Sequence, residues 1–400
     1  MVNEQVDILI IGGGLTGASL LLALQNSPWQ CRMVDNRAFD TVKEPELDAR
    51  SLALAPASIR ILQQLGVGDT ILKDACPIKT IHVSQQGQFG NSHLHAQSDA
   101  LGYVIEMNHL NRIVLNALEM ENIYAPARFQ SLNTVEQYAD VEYEGGLRRI
   151  HYKLLVAADG AQSAVRQRLG IHANKRDYRQ HAIICNVALK RTHEYWAYER
   201  FTRFGPLAML PLTGKRAAMV WAMKPEQAEE LMQLTPAEFL QRLQQAFGYR
   251  LGRLQDIGQR ARIPLQMVVA DKCVVGNAVC IGSAAQHLHP VAGQGFNLAL
   301  RDVATLAQCL YASDLESKAL QSYAEMRKTD RQAICRFTDA LVRLFSSSLP
   351  GVSALRGMGL LAFDNLPPLQ DTLAHYARGF SGNTPNLACG IPLSGEAYGL

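Results

Sequence analysis

Three glycines and one acid near the start of the chain are arranged to hold a dinucleotide. Gly12-Gly13-Gly14-Leu15-Thr16-Gly17 follows the nearly all-apolar run Val6-Asp7-Ile8-Leu9-Ile10-Ile11, and Asp35 closes a second expected strand from Gln30 to Val34. Gly12 permits a tight turn after the strand. Gly14 lets backbone approach a pyrophosphate with no Cβ in the way, and Gly17 lets the next helix pack close to the strand. That helix offers unpaired N–H groups and about half a positive charge to phosphates. Asp35 stands where a carboxylate can accept both hydroxyls of an adenosine ribose. Strand, turn, helix, strand and acid together are far more specific than a lone GxGxxG, yet they do not separate NAD from FAD.

The elements that must position these groups follow from hydrophobic patterning. Ala18 to Gln25 reads as the helix of a βαβ unit, and Asp40 to Leu47 as a loop. Ala57 to Leu65 has helical spacing and stops at Gly66. Thr80 to Gln86 and Asn91 to Ala96 read as strands, Leu110 to Leu118 as a helix, and Val141 to Glu144 with Arg148 to Tyr152 as a hairpin. Lys153 to Ala158 is a further buried strand that ends at Asp159-Gly160. Ala182 to Val269 is richer in aromatics and reads as a separate sheet with a helix over Pro236 to Phe247. Ala278 to Ile281 is again a buried strand, and a helix is expected from Asn297 to Leu310. The period stays helical from Leu315 to Phe345, with Glu325, Arg327, Lys328 and Asp330 on one charged face.

Composition narrows the class. The chain has 400 residues, enough for two to three domains, and its 39 Lys+Arg against 36 Asp+Glu leave a formal charge of +3. Near-neutrality argues against a nucleic-acid partner. Hydrophobic residues at 48% with charged residues at 19% exclude intrinsic disorder as the main state. The eight cysteines form no CxxC pair and no His cluster completes a metal site, so the expectation is buried thiols, no metal and a reducing compartment. No apolar run reaches the 18 or so residues of a membrane-spanning helix, and the first residues carry no basic n-region. The expected place is the cytoplasm, in solution or on a membrane surface.

Two further motifs carry a family resemblance. Leu154-Leu155-Val156-Ala157-Ala158-Asp159-Gly160-Ala161-Gln162-Ser163-Ala164-Val165-Arg166 resembles the DG motif of class A flavoprotein aromatic hydroxylases. Ile281-Gly282-Ser283-Ala284-Ala285-Gln286-His287-Leu288-His289-Pro290-Val291-Ala292-Gly293-Gln294-Gly295-Phe296-Asn297 and on to Asp302 resembles their second FAD motif. The resemblance implies an α/β fold of the para-hydroxybenzoate hydroxylase type. It has a Rossmann-type FAD domain, an inserted β-sheet substrate domain and a helical C-terminal region. The expected boundaries are 1–75, 98–178 and 270–312 for a discontinuous FAD domain, 76–97 and 179–269 for the substrate domain, and 313–400 for the helical region. Asp48-Ala49-Arg50-Ser51-Leu52-Ala53-Leu54, Tyr198-Glu199-Arg200-Phe201-Thr202 and Gly205 to Leu212 narrow the resemblance to the ubiquinone-biosynthesis hydroxylases, nearest to the branch acting on 2-octaprenyl-6-methoxyphenol. One position departs from the wider family: Ser283 stands where an aspartate usually binds the FAD ribityl chain, a trait shared with that branch.

The resemblance implies FAD as cofactor, NADPH or NADH as electron donor, and O2 and a polyprenylated phenol as substrates. The family's chemistry is hydroxylation through a flavin C4a-hydroperoxide, with the protein supplying orientation and water exclusion. Beside Gly12, Gly14, Gly17 and Asp35, it places Arg50, Arg112, Asp159, Ser283, Gly293, Gly295, Phe296 and Asn297 at the cofactor. N–H groups of Phe296 and Asn297, at the start of a helix, would face flavin N1 and O2. A simple phenol titrates near about 10, so binding it ionised at neutral pH takes roughly 4 kcal/mol, and a base or donor cluster is expected. His287 and His289 are the nearest candidates; His289, biased to extended backbone by Pro290, is the catalytic expectation together with that proline. Phe204, Pro206, Ala208 and Leu210 alternate along a strand and, with Trp221, are candidates to line an apolar pocket. Val342 to Phe380 mixes large apolar residues with Arg343, Arg356 and Arg378. That pattern suits docking at the inner face of a membrane, or an interface with a second copy or with other ubiquinone-biosynthesis enzymes. Two other readings compete: an FAD-dependent reductase or epoxidase of an isoprenoid, and a non-catalytic isoprenoid-binding scaffold. The intact glycine–aspartate set weighs against the second.

Overall fold

The computed structural model describes residues 2–39, 50–88, 91–96, 99–288, 294–346, 379 and 383–393. Elements are numbered in chain order. The first sheet has a parallel core made of Val2–Ile11 (β1), Cys31–Val34 (β2), Ile123–Tyr124 (β8), Gly146–Ala157 (β11) and Ala278–Cys280 (β19). Their spatial order is β19-β11-β1-β2-β8, so the chain leaves β1 to one side and later returns on the other. This reversal is the switch point of a doubly wound sheet, outside whose carboxyl ends ligands bind. Ala127–Asn133 (β9), Tyr138–Tyr143 (β10) and Val274–Val275 (β18) complete the sheet. Ile8, Leu9 and Ile10 have no exposed surface, as a strand covered on both faces requires.

Helices Leu15–Leu24 (α1), Met107–Asn116 (α4) and Gln294–Ser313 (α8) pack around this sheet, α1 touching both others. Ser317–Ser346 (α9) lies against α8. Ala164–Arg168 (α5) follows β11. Pro56–Gln64 (α2) and Gly68–Asp74 (α3) connect to a small sheet in which Ser51–Leu54 (β3) and Cys76–Ile78 (β4) flank Gly102–Glu106 (β7).

The large sheet runs β20-β17-β12-β15-β14-β13-β5-β6, with β16 on β12. Its strands are Thr80–Gln85 (β5), Asn91–His95 (β6), Ala173–Leu189 (β12), Trp196–Phe201 (β13), Pro206–Leu212 (β14), Arg216–Met223 (β15), Leu254–Ile257 (β16), Ala261–Ala270 (β17) and Gln286–His287 (β20). Helices Pro225–Gln233 (α6) and Pro236–Phe247 (α7) cover one face. Thr235 and Glu238 close a capping box at the start of α7.

Several sequence expectations shift. The second arm of the expected hairpin and the buried strand after it are one continuous strand, β11: its first half pairs with β10 while its second half lies between β1 and β19. Helix α8 starts at Gln294 rather than Asn297. On α9, Arg327 and Asp330 are buried and only Glu325 and Lys328 face solvent, so the expected charged face is split in two. Six cysteines are buried, Cys335 is half-buried and Cys389 exposed. Burial pushes the thiols of Cys31, Cys185 and Cys280 up to about 12, so they pack as apolar groups. Among the described residues no helix is long and apolar enough to cross a membrane, and no cluster of His, Cys, Asp or Glu could hold a metal. The segment expected to dock on a membrane or partner, from Val342 to Phe380, lies outside the described side chains apart from Gly379.

Candidate functional site

Three motifs converge at the carboxyl ends of β1, β11 and β19. Gly12 sits at φ +108, and a Cβ there would lie 2.5 Å from the Ala158 carbonyl and 2.7 Å from the Asp159 nitrogen. A Cβ on Gly17 would collide with the Gly12 carbonyl oxygen. Both glycines are therefore demanded by protein packing alone. Gly14 is different. It has ordinary extended backbone, φ −68 and ψ 178, and its Cβ would meet only the Arg37 guanidinium, at 3.9 Å, among the described residues. The helix it precedes has no side-chain cap and no acid in its first turn. The side of the turn at Gly14 is open, next to a helix N-terminus that attracts anions.

Asp35 is 7% exposed and already in use. Its Oδ2 accepts from the Gly13 N–H at 2.7 Å, and its Oδ1 from the Arg37 N–H at 2.8 Å and Arg37 Nε at 3.2 Å. Each carboxylate oxygen can accept about two bonds, so Oδ2 retains capacity for one hydroxyl. The Arg37 side chain, 63% exposed, can leave Oδ1 at small cost. Asp35→Ala is expected to lower FAD retention about tenfold or more, one charged hydrogen bond being worth roughly 1.5–3 kcal/mol. Flavin-to-protein ratio after gel filtration measures this, and an unchanged ratio removes Asp35 from the ribose site. Asp159 uses Oδ2 to accept from the Val165 N–H at 3.1 Å, while its Oδ1 is buried with no partner among the described residues. Arg50 is exposed, its carbonyl receiving the Met107 N–H at 3.0 Å, and Arg112 is half-buried on α4.

The second motif docks on the first. Gly282 has φ +56 and a Cβ there would lie 2.7 Å from Thr16, in the first turn of α1. The next residue, Ser283, is half-buried in a short turn with no hydrogen bond among the described residues. Asp302 anchors this turn: its Oδ2 accepts from the Gly282 N–H at 2.9 Å and from Gln286, and its Oδ1 from Arg327 Nε at 2.7 Å. Asp330 pairs with Arg327 and, at 3.1 Å, with Arg301. Arg166, also buried, ties the Ala284 carbonyl to that of Ala161 at 2.8 and 2.9 Å. Sequence reading missed Arg166, Arg327 and Asp330, because a charge pattern does not say which charges turn inward.

The start of α8 differs from expectation. With Gln294 as first helical residue, Gly295 and Phe296 carry N–H groups free of intrahelical bonds, whereas Asn297 falls where the ladder has begun. The Asn297 side chain is structural: it accepts from the Ala55 N–H at 2.8 Å and the Ser58 hydroxyl at 2.7 Å, and donates to the Ala53 carbonyl at 2.8 Å. It binds β3 and α2 to α8. His289, Pro290 and Gly293 lie outside the described residues. His287 pairs with Val268 in the large sheet, and burial holds its imidazole below the usual range.

The large sheet has two unlike faces. The outer face carries Ile183, Cys185, Leu207, Met209, Met219 and Trp221 against Phe239, Leu243 and Phe247 of α7. The inner face carries aliphatic side chains and no aromatic ring in these clusters: Ala182, Ile184, Val220, Ala222 and Leu265 form one, and Ala197, Leu210 and Ala218 pack on Val104 and Ile78 of β7 and β4. Pro206 and Leu210 share the inner-face alternation with Ala208. Trp221 and Phe204 do not. Trp221 is 0% exposed on the outer face, and the Phe204 ring packs edge-on against it at 5.8 Å. The expectation of a single lining stripe is corrected here: Phe204 lies in the turn before β14, where alternation no longer governs direction. Met267 of β17 packs near Leu298 of α8, and Asn186 and Arg216 reach Glu106 at the end of β7. The inner face thus spans from α8 to β7.

These features fit an FAD: an open turn at Gly14, an uncapped helix start, and a buried, unpartnered oxygen on Asp159. The comparisons agree. Residues 5–338 match the family described as FAD binding domain. The ubiquinone hydroxylase UbiL of Rhodospirillum rubrum is 33% identical over 98% of this chain and 94% of its own. The 3-demethoxyubiquinol 3-hydroxylase of Escherichia coli is 28% identical over 95% of this chain and 100% of its own. Among solved structures, p-nitrophenol 4-monooxygenase PnpA from Pseudomonas putida superposes with a TM-score of 0.79 at 16% identity, covering 96% of this chain and 99% of that one. PqsL of P. aeruginosa gives 0.73 at 24% identity, covering 90% and 100%. At these identities the structures speak to the fold, which is that of para-hydroxybenzoate hydroxylase-like FAD monooxygenases. The chain belongs to the FAD binding domain family and is an FAD-dependent aromatic-ring monooxygenase of the ubiquinone hydroxylase group.

Proposed function

We propose that this chain hydroxylates the ring of a polyprenylated phenol of the 2-octaprenyl-6-methoxyphenol kind, with O2 as oxygen source and NADPH or NADH as reductant. The observation that carries this reading is an aliphatic sheet face joined to the second FAD motif through β20 and β17. On this face Ala208 and Val220 are half-buried beside the covered Ala182 and Ala222, an apolar surface that suits a flat ring and an apolar tail. The names of the full-length relatives support ubiquinone synthesis as the setting.

The residues divide the work. The Gly14 turn and the first turn of α1 would hold the diphosphate, with Arg50 and Arg112 as counter-charges and Asp35 on the ribose. Asp159 and Ser283 would take the ribityl side, and the N–H groups of Gly295 and Phe296 would stabilise negative charge on the reduced ring. Bound FAD supplies hydride acceptance and O2 activation. The inner sheet face would exclude water and orient the phenol.

The test incubates the purified holoenzyme with 2-methoxy-6-prenylphenol, NADPH or NADH, and isotope-labelled dioxygen. The expected product is the phenol carrying one labelled oxygen on the ring, with its position read by NMR. Reductant consumption that yields only hydrogen peroxide or a reduced isoprenoid overturns the hydroxylase reading in favour of a reductase.

A further inference from the structure

Resting on the phenol-hydroxylase reading, we infer that Glu199 is the residue that accepts the hydrogen bond, and then the proton, of the substrate's ring hydroxyl. Glu199 lies in β13 on the inner face of the large sheet. Cross-strand register places it in one row with Val83 of β5, Ala208 of β14, Val220 of β15, Ile184 of β12 and Ala261 of β17. Ala197 and Phe201, its neighbours on the same face of β13, are also apolar. A single carboxylate therefore stands in a row of hydrocarbon.

The side chain is deep but not sealed. It keeps some accessible surface, as do Ala208 and Val220 beside it, and neither of its oxygens has a hydrogen bond or ion pair among the described residues. A glutamate is almost never set this deep without a partner, because desolvation of an unpaired carboxylate is costly. The fold itself draws no benefit from it. Burial pushes this carboxyl up to about 7, and burial is the whole cause. No strand bordering β13 brings a titratable side chain into its row. Of the charged groups of this face among the described residues, Glu106 at the end of β7 and Arg216 of β15 are paired with each other at 3.0 and 3.1 Å, Glu106 also accepts from Asn186, and Arg176 of β12 lies at the far end of the face in the row of Met267. A half-buried acid with no partner among the described residues, standing in a row of hydrocarbon, is a candidate for chemistry.

The proton step balances without further reagents. The phenol O–H bond breaks, its electron pair stays on the ring oxygen, and the proton moves to the Glu199 carboxylate. The ring becomes more electron-rich where the oxygen is to be added. As aromaticity is restored, the C–H bond at the carbon that took the oxygen breaks, its electron pair goes back into the ring and its proton leaves to water, and Glu199 returns the phenolic proton to the ring oxygen. A base near neutrality is well matched to this task, since it narrows the gap to a phenol of about 10 while remaining largely ionised at slightly alkaline pH.

The test uses the holoenzyme, NADPH or NADH, and 2-methoxy-6-prenylphenol. If the wild type gives no ring-labelled product, the hydroxylase reading has failed; if it does, the variants decide about Glu199. The wild-type kcat is expected to rise through about pH 7. Glu199→Gln should lose about 10²–10⁴ in kcat, keep KM within about threefold and flatten the acid limb of the pH profile. Glu199→Asp should recover part of the rate and keep the limb. A structural role predicts a less stable Glu199→Gln. The base role predicts the reverse above about pH 7, because a carboxyl whose folded value is raised withdraws stability as pH climbs from its unfolded value. A Glu199→Gln enzyme with kcat within about threefold of wild type and the same acid limb overturns the inference. So does a wild-type profile flat from about pH 5 to about pH 9, which needs no variant to fold.

Discussion

Gly14→Val is expected to give a folded chain that leaves gel filtration without its flavin. The backbone at Gly14 is extended, a conformation valine adopts freely, and no described atom lies within 3.9 Å of the added Cβ. The fold should therefore keep most of its stability. The diphosphate would be displaced, because two methyl groups would stand where backbone N–H groups must approach it. Overpacking of about 1–3 kcal/mol corresponds to roughly 5- to 150-fold weaker binding. Gly17→Ala supplies the contrast: its Cβ would collide with the Gly12 carbonyl oxygen, so that variant should be insoluble or strongly destabilised with or without FAD. A Gly14→Val protein with full flavin occupancy would place the diphosphate elsewhere. Loss of folding in both variants would show that Gly14 too is a packing glycine.

Asp302→Asn should destabilise the protein by about 3–5 kcal/mol, seen as a drop of roughly 4–6 °C in Tm by calorimetry. Asp302 has no exposed surface, and its two oxygens hold Arg327 at 2.7 Å and the Gly282 N–H at 2.9 Å. Burial works against the Arg327 charge, but Asp302 and Asp330 outweigh it and hold the guanidinium more basic than usual. The asparagine leaves that cation with half its compensation. Its consequences reach the site, because the Gly282 turn presents Ser283 and leans on Thr16 of α1. Flavin affinity should fall along with Tm. A double variant, Asp302→Leu with Arg327→Met, should lose less than the two single changes summed, since it buries neither charge alone. Simple additivity would mean that the pair is not coupled.

Much of the cofactor-binding half is legible in the amino-acid sequence. Ile8 to Ile11 is apolar on both alternations, which only a strand covered on both sides requires, and the glycine spacing after it states the turn. Gly66, expected to close a helix, has φ +80 after α2. Element ends were less legible: Asn297 looked like a helix start, yet α8 begins at Gln294 and the Asn297 side chain stitches β3 to α2. Local spacing could not reveal that, because its partners lie about 240 residues away.

What the chain's letters determined by themselves is the local chemistry: a nucleotide-binding turn, an acid for a ribose, and strands that must be buried. Such features depend on neighbours within a few residues, whose periodicity and backbone freedom are written in the order of side chains. Only the tertiary structure decided which way groups point across long loops. It turned Trp221 outward to α7 and Glu199 inward, because the register between β13, β14 and β15 sets each residue's face. It also sank Arg327 and Asp330 into a charge network while leaving Glu325 at the surface. Facing is a property of pairs of strands and helices brought together by folding, and no single segment carries it.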